Sequence, residues 1–588
     1  MKFSRRIWFT SKCRRNLESL VLWLILLYMI AAFVTQQTKL VSPQGMQRAR
    51  PNPKIPVHLY DKHQEVGPNY SATFGLANLS LQSVPLKPVK TPRPVTLVDL
   101  KKAPSTSSVR PNWFNLDLDI DWSGSPDSVQ NLQEAMPNVP SRYWLKKDKG
   151  MGMNKTCAKY PLLYQIRYNN GRWQTFDTSN GTFYLFGAYY DNRTLAERPT
   201  VRVLGMLNRV EPRLNTSCQF WFEESNKPVF AKVLEYSYIW RKAFGNYKTG
   251  ILQPYLLSCQ IPAKYAQLVP ESVSMVEKPC DTSTTNLRVV NNRPSRGQVK
   301  DFAVCVKGLD LPSANFTVRV IEWLEMLSLL GADKVFMYDL HVHPNITKVL
   351  KYYQKKGFVD MSKLTLPGDQ PNVPELTHRY LHEKGGNKRL NELIPYNDCL
   401  YRNIYSYKYV VLLDTDELII PRNLSSWKRL MEVVVEKALK ANKKPRTSFA
   451  ARNVYFLDSM QEAHGFYQDI PRYMHMLQHV YRARNYTKPG AYIKCFHDTQ
   501  RVFTLHNHFP FSCLGKGCHA YAIPTEDAHL QHYRRDCAPE LKKSCKEIFK
   551  VNPIVDKNTW RYKDALTDRV FTVLSKLGFF RSRVRLND

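Results

Sequence analysis

The stretch YVVLLDTDELII, residues 409–420, constrains the fold of this chain more than any other. Tyr409 is followed by Val410, Val411, Leu412 and Leu413, a run with no polar face, which reads as a strand buried on both sides. Such strands belong to sheets covered by helices. The run pauses at Asp414 and Asp416, and the C-terminal edge of the strands is where open α/β sheets bind their ligands. Two carboxylates one residue apart suit a hard divalent cation such as Mg²⁺ or Mn²⁺, which takes oxygen ligands and keeps positions open for a diphosphate.

Asp-x-Asp alone is a weak signal, and the chain contains a second instance. In NLDLDIDW the acids Asp117, Asp119 and Asp121 alternate with Leu116, Leu118, Ile120 and Trp122, the pattern of a half-exposed strand with a solvated acidic face. A calcium loop starting at Asp414 is excluded by its spacing. An EF-hand needs Gly at its sixth and Glu at its twelfth position, where this chain has Ile419 and Ser425.

Near the N-terminus, fifteen apolar residues, Leu20 to Val34, follow Lys2, Arg5, Arg6, Lys12, Arg14 and Arg15, with no acid before Glu18. The charge bias puts the tail in the cytoplasm and the rest of the chain across the membrane. At about 1.5 Å per residue the run covers roughly 22 Å, which suits thin early secretory membranes. No clean small-x-small cleavage site lies outside the run, so it reads as an uncleaved signal anchor over 17–35 with a cytoplasmic tail at 1–16.

Ten Asn-x-Ser/Thr sites follow the anchor, at Asn69, Asn78, Asn154, Asn180, Asn192, Asn215, Asn315, Asn345, Asn423 and Asn485. Eleven of the twelve cysteines also follow it, in a compartment where disulfides form. An odd number leaves one thiol over, and Cys305, inside the apolar strand FAVCVKG, is the expected free one. Cys513, Cys518, Cys537 and Cys545 lack the tight Cys-x2-Cys pairs of structural zinc and read as disulfides. The net charge of +35 is dispersed, with no dense block after residue 15, so it points to phosphates, nucleotides or anionic headgroups and not to nucleic acid.

Residues 36–149 are Pro-rich and read as an extended stem. Residues 150–295 alternate and are rich in aromatics, with hairpin signals at Asn170-Gly171 and Asn180-Gly181, so a small β-rich domain is expected. Its cysteines, Cys157, Cys218, Cys259 and Cys280, are enough for two bridges in any of three connectivities. From residue 296 strands alternate with helices: DFAVCVKG, a helix from Phe316 to Leu330 stopped by Gly331, KVFMYD ending at Asp339, a helix from Thr347 to Lys356 stopped by Gly357, FVDMSKL, a helix around Asn397 to Tyr405, and the strand ending in DTDE. This order predicts an α/β fold with right-handed crossovers and a mainly parallel sheet over 296–545, followed by a helical extension at 546–588.

The ordered set FAVCVKGL, an Asp-ending second strand, YNDCLYR, YVVLLDTDELIIPR and HYRRDC resembles glycosyltransferase family 92 across residues 155–540. The resemblance implies a type II Golgi membrane enzyme with a GT-A fold, a Rossmann-like mixed, mainly parallel sheet, using a UDP-sugar and Mn²⁺. Its metazoan members are similar to β-1,4-galactosyltransferases that cap core fucose on N-glycans. Inversion then requires a general base on the acceptor hydroxyl. By the resemblance Asp414 and Asp416 hold the metal, with His532 as the third ligand and His506 in reserve. Glu417 orients the ribose or a ligand water, Asp339 contacts uridine, and Lys494 and Arg534 contact the diphosphate. Asp398 and Arg402, four apart on one helix face, either pair with each other or border the nucleotide. Asp458, Glu462, Asp498, Glu526 and Asp527 are all candidate bases, Asp498 and Asp527 being carried forward, and the sequence does not choose. Trp173, Tyr189 and Tyr190 of the β-rich domain are candidates for stacking on sugar rings, or core. An oligomer is compatible with the sequence. The competing classes are a lumenal glycan-binding lectin and a transferase using a different UDP-sugar.

Overall fold

The computed structural model describes residues 126–141, 157–223, 225, 227–295, 297–537 and 541–580. The tail, the expected anchor, most of the stem and the Asp117–Asp121 segment lie outside these residues. Among the described residues no helix is long and apolar enough to cross a membrane.

Residues 168–290 build nine strands: β1 (Tyr168–Asn170), β2 (Trp173–Thr178), β3 (Gly181–Asp191), β4 (Thr200–Leu207), β5 (Ser217–Trp221), β6 (Val229–Tyr238), β7 (Gln253–Gln260), β8 (Ser272–Val276) and β9 (Leu287–Val290). Their order is β1-β2-β3-β4-β7-β6-β5-β8-β9, and a parallel β3–β9 pairing closes the last seven into a barrel. Closure removes the open edges that an isolated sheet of this size would expose. Phe183, Leu185, Val203, Phe220 and Leu257 fill the interior, and the Cys218–Cys259 disulfide crosses it from β5 to β7. A second disulfide, Cys157–Cys280, ties down the entering chain. Both Asn-Gly signals fall at hairpins, although the turns are centred on Gly171 and Arg172, one residue later, and on Ser179 and Asn180, one residue earlier, than the dipeptides suggest.

The α/β part contains β10 (Lys300–Leu311), α1 (Thr317–Leu330), β11 (Lys334–Val342), α2 (Pro344–Lys355), β12 (Val359–Lys363), α3 (Pro374–Glu383), α4 (Gly385–Asn403), β13 (Tyr407–Leu412), β14 (Glu417–Pro421) and α5 (Trp427–Ala441). It continues with β15 (Ser448–Ala451), β16 (Asn453–Leu457), β17 (Tyr481–Arg482), β18 (Lys494–Asp498), β19 (Val502–Leu505), β20 (Pro510–Cys513), β21 (Ala520–Ala522), β22 (Ala528–Arg534), β23 (Ile554–Val555) and α6 (Lys563–Lys576). The main sheet runs β12-β11-β10-β13-β18-β15-β21; its first four strands are parallel, and β18 is antiparallel to both neighbours. This mixed, mainly parallel sheet agrees with the order read from the sequence. Gly331 and Gly357 follow α1 and α2 with φ of 95° and 74°, the left-handed conformation that ends a helix and that glycine adopts without a Cβ clash.

Three features differ from the sequence reading. The helix expected around Asn397 begins at Gly385 and runs through Pro395, because its apolar positions pack between the main sheet and the barrel. The run 409–420 is two strands with a turn between them, and β14 leaves the main sheet for a small one, β14-β22-β16. Cys305 is not the free thiol: it bridges to Cys399 and ties β10 to α4, while the free one among the described residues is the buried Cys495. The disulfides Cys513–Cys518 and Cys537–Cys545 complete the set of five. Helix α6 inserts Leu566, Val570, Val573 and Leu574 into the same core as α1.

Candidate active site

The end of β13 is pinned in the sheet centre, where Val410 to Leu413 are fully buried. The chain then turns. Glu417 N–H donates to Asp414 O at 3.0 Å, and Asp414 N–H donates to Glu417 Oε2 at 3.0 Å, so side chain and backbone close the turn reciprocally. Beyond it, β14 pairs antiparallel with β22 in a register that sets Glu417 opposite His532. Directly opposed residues of antiparallel strands share one face. Tyr533 N–H donates to Asp416 O at 2.9 Å, which ties the second acid of the motif to the same strand.

The two aspartates have unlike surroundings. Asp414 is buried between two ammonium groups, with Lys307 Nζ 3.2 Å from Oδ1 and Lys494 Nζ 3.3 Å from Oδ2. The Asp416 side chain is 46% exposed, and its Oδ2 lies 3.5 Å from His532 Nε2. His532 Nδ1 lies 3.6 Å from Glu417 Oε1. Both gaps exceed the roughly 3.2 Å limit of a good N–H···O bond, and neither ring nitrogen has a hydrogen-bond partner although the residue is buried.

Charge follows from this packing. Burial pushes Glu417 up to about 7; Lys494 and His532 oppose the rise, and Asp414 and Asp416 add to it. Burial by itself would lower the His532 imidazole, but the carboxylates of Asp416 and Glu417 outweigh it and the net shift is upward. Asp416 and His532 are thus the pair able to hold a divalent cation: one oxygen and one nitrogen donor, an orphaned buried ring nitrogen, and an open side left for ligands brought by a substrate.

Other expected residues are distributed as follows. Arg534 shares the His532 face two residues along β22. Asp339 lies within β11, on the C-terminal half of the parallel strands; Lys363 Nζ is 3.1 Å from its Oδ2, and its buried Oδ1 has no hydrogen-bond partner. Lys494 corrects the expectation of a diphosphate contact. It is fully buried, and its ammonium is taken up by Asp414, by Glu417 at 3.2 Å and by Asn507 at 2.5 Å. Asp398 and Arg402 are also corrected. Tyr338 Oη donates to Asp398 at 2.6 Å, Tyr189 from the barrel donates as well, and Arg402 Nε reaches both carboxylate oxygens, so the pair joins barrel, helix and sheet instead of bordering a nucleotide.

His506 is not drawn to the acids; it stacks on Phe509 at 4.6 Å and packs against Trp240 and Phe244. Asp498 sits opposite Tyr409, five residues before Asp414, roughly 17 Å away at strand spacing. Asp527 is held by Lys437 at 2.7 and 2.8 Å beside Ala528, the residue paired with Pro421 at the far end of β14. Neither reaches the carboxylate turn. Trp173, Tyr189 and Tyr190 are buried core residues and do not present a stacking surface. Lys307 was missed by sequence reasoning; its only signal was a lysine closing an otherwise apolar strand.

Residues 300–570 match the family model described as glycosyltransferase family 92. The match falls on the α/β part and supports a glycosyltransferase of this family. No curated protein matches the chain. Among solved structures the chain is matched to S. aureus TarS 1–349 at 12% identity and TM-score 0.22, over 49% of this chain and 76% of that one. TarS 1–349 in complex with UDP-GlcNAc matches at 11% identity and TM-score 0.23, with the same coverage. The apo structure of the bifunctional glycosyltransferase WbbM matches at 12% identity and TM-score 0.16, over 38% of this chain and 29% of that one. At such TM-scores these likenesses carry no argument for the site, which rests on its own geometry.

Proposed function

We propose that the family 92 domain transfers a hexose, with galactose the first donor to test, from a UDP-sugar to an N-glycan acceptor in β-1,4 linkage, inverting the anomeric carbon. The observation that carries this reading is the asymmetric turn: Asp416 open to solvent beside the unpartnered Nε2 of buried His532. Mn²⁺ fits this donor set, since imidazole and carboxylate both suit it. Asp416 and His532 would hold the ion, Glu417 on the Nδ1 side orienting the ring as an outer partner. When bound, the ion supplies charge neutralisation for a departing diphosphate.

The chain's own residues do the rest. Lys307 and Lys494 hold Asp414 rigid and keep three neighbouring carboxylates from repelling the turn open. Arg534 is suited to a phosphate through its planar fork. The orphaned Asp339 Oδ1 is suited to accept from a uracil N–H. An α-linked donor and β-linked product require the acceptor hydroxyl to attack from the face opposite the leaving group, with a base within hydrogen-bond reach.

The basic-flanked apolar run, the sequons and the five disulfides support a single-pass type II placement in the Golgi membrane, with the domain in the lumen. The deciding experiment incubates the chain from about residue 41 with a panel of UDP-sugars, Mn²⁺ and mixed N-glycans, read by mass spectrometry. A hexose added from UDP-galactose alone, and lost in EDTA, supports the proposal. Transfer from a different donor only, or full activity in EDTA, overturns it. Glycan binding without turnover, surviving Asp416→Asn, would make the protein a lectin.

A further inference from the structure

A second cluster of ligating side chains lies outside the carboxylate turn. Asp458 follows β16, which runs beside β22 with Tyr455 opposite His532 and Leu457 opposite Arg534. It therefore stands three residues past the His532 level, about 10 Å along the strand. His475 and His479 come from the short helix His475–Gln478 and its cap. Their i, i+4 spacing puts both rings on one face of the turn, with centroids 4.0 Å apart. Glu322 of α1 fixes that turn, its Oε1 accepting from Met476 N–H at 2.9 Å and Leu477 N–H at 3.2 Å.

The rings converge on one oxygen. His479 Nε2 lies 3.0 Å and His475 Nε2 3.4 Å from Asp458 Oδ1, and the three ligand atoms lie within 4.8 Å of one another. Arg319 approaches the other carboxylate oxygen, at 4.0 Å, and leaves Oδ1 to the histidines. The tautomer of His479 is decisive. Its Nδ1 is 2.7 Å from the His475 carbonyl, which can only accept, so the ring proton is on Nδ1. In the neutral ring Nε2 then presents a lone pair to a carboxylate oxygen. His479 is 6% exposed, and this buried Nε2 has no hydrogen-bond partner. Two acceptors facing each other at 3.0 Å repel unless a proton or a metal ion lies between them.

We propose that Asp458, His475 and His479 form a second metal site, for a borderline divalent transition-metal ion of the Zn²⁺ class, separate from the Asp416–His532 pair. Ligands about 2.0–2.1 Å from a tetrahedral ion stand about 3.3 Å apart, close to the separations found here. Two imidazoles and one carboxylate form a known zinc donor set with the fourth position left for water. The ion would lock the 458–479 segment to the end of the small sheet that carries His532. The sequence signal is His475-x3-His479 in HMLQH, the spacing by which a helical turn offers two imidazoles to one ion.

The test uses the full-length chain in detergent, loaded with Zn²⁺ alone, freed of unbound metal and assayed by plasma mass spectrometry. The wild type and Asp416→Asn are each expected to retain one zinc per chain, with affinity at least tenfold weaker in His479→Gln and Asp458→Asn. X-ray absorption on zinc-loaded Asp416→Asn is expected to report two imidazole ligands; this readout does not depend on whether the histidine variant folds. No zinc retained by the wild type would leave an imidazolium–carboxylate pair only and overturn the proposal. Zinc retained at undiminished affinity by a folded Asp416→Asn/His479→Gln double variant, or an absorption spectrum without two imidazoles, would also overturn it. Because no UDP-sugar is present, these outcomes are independent of the transferase assay.

Discussion

Lys494 Nζ lies 3.2 Å from Glu417 Oε2, with both side chains out of solvent. The same ammonium is 3.3 Å from Asp414, so one buried cation serves two buried carboxylates in the turn that carries Asp416. Removing one partner of a buried pair leaves the other charge uncompensated, typically at about 3–5 kcal/mol. Lys494→Met is expected to lose stability in that range by denaturant unfolding. Lys307→Met should lose less, since Lys307 is partly exposed and Asp414 keeps Lys494. Equal losses for the two variants would contradict the shared-cation arrangement.

The two motif aspartates should separate stability from activity. Asp416→Asn is expected to keep the unfolding free energy within about 0.5 kcal/mol, as an exposed side chain does, while turnover falls by about a thousandfold, some 4 kcal/mol of barrier. Asp414→Asn faces two lysines with a neutral amide and should lose about 1–3 kcal/mol of stability as well. Parallel unfolding and turnover measurements check this, and a stability loss confined to Asp416→Asn would refute it.

The Cys305–Cys399 bridge links β10 to α4 across 94 residues. Non-reducing peptide mapping should recover that pair and a free Cys495. Cys399→Ser is expected to cost about 2–4 kcal/mol. Recovery of Cys305 as a free thiol would reject the assignment.

Acid sensitivity should pass through His497, fully buried on β18 with neither ring nitrogen hydrogen-bonded. Burial lowers its pKa from 6.5 to about 3, with Lys494 adding to the fall. The native state therefore keeps the ring neutral while the unfolded chain takes up a proton below pH 6.5. Stability from this group is complete above 6.5 and is lost as pH falls towards 3, about 2 kcal/mol by pH 5. His497→Leu should flatten the unfolding profile over that window; an unchanged slope between pH 6.5 and 5 would count against it.

Much of the fold was legible because periodicity and punctuation report local geometry. The apolar run after Tyr409, the strand–helix alternation from residue 300 and the stops at Gly331 and Gly357 are properties of neighbouring residues, and each reappears as an element. Even so, the turn at Asp414–Glu417 was hidden inside an apolar stretch, since β13 and β14 are both buried and differ only in the sheet they join. The barrel's aromatics, attractive as sugar platforms on paper, proved to be core: Trp173 and Tyr189 pack in the layer shared with α4 and the main sheet, and Tyr190 in the barrel core.

By itself the sequence determined the mainly parallel α/β core, the β-rich module before it and a pair of acids at the end of a central strand. Only the tertiary structure decided which charges meet. Lys307 from β10, Lys494 from β18 and His532 from β22 are far apart in the chain, and desolvation makes each depend on partners that local pattern cannot name. The same holds for Asp398, whose partners Tyr189 and Tyr338 come from two different sheets. Pattern fixes which residues are buried; the crossing of strands fixes what a buried charge must be paired with.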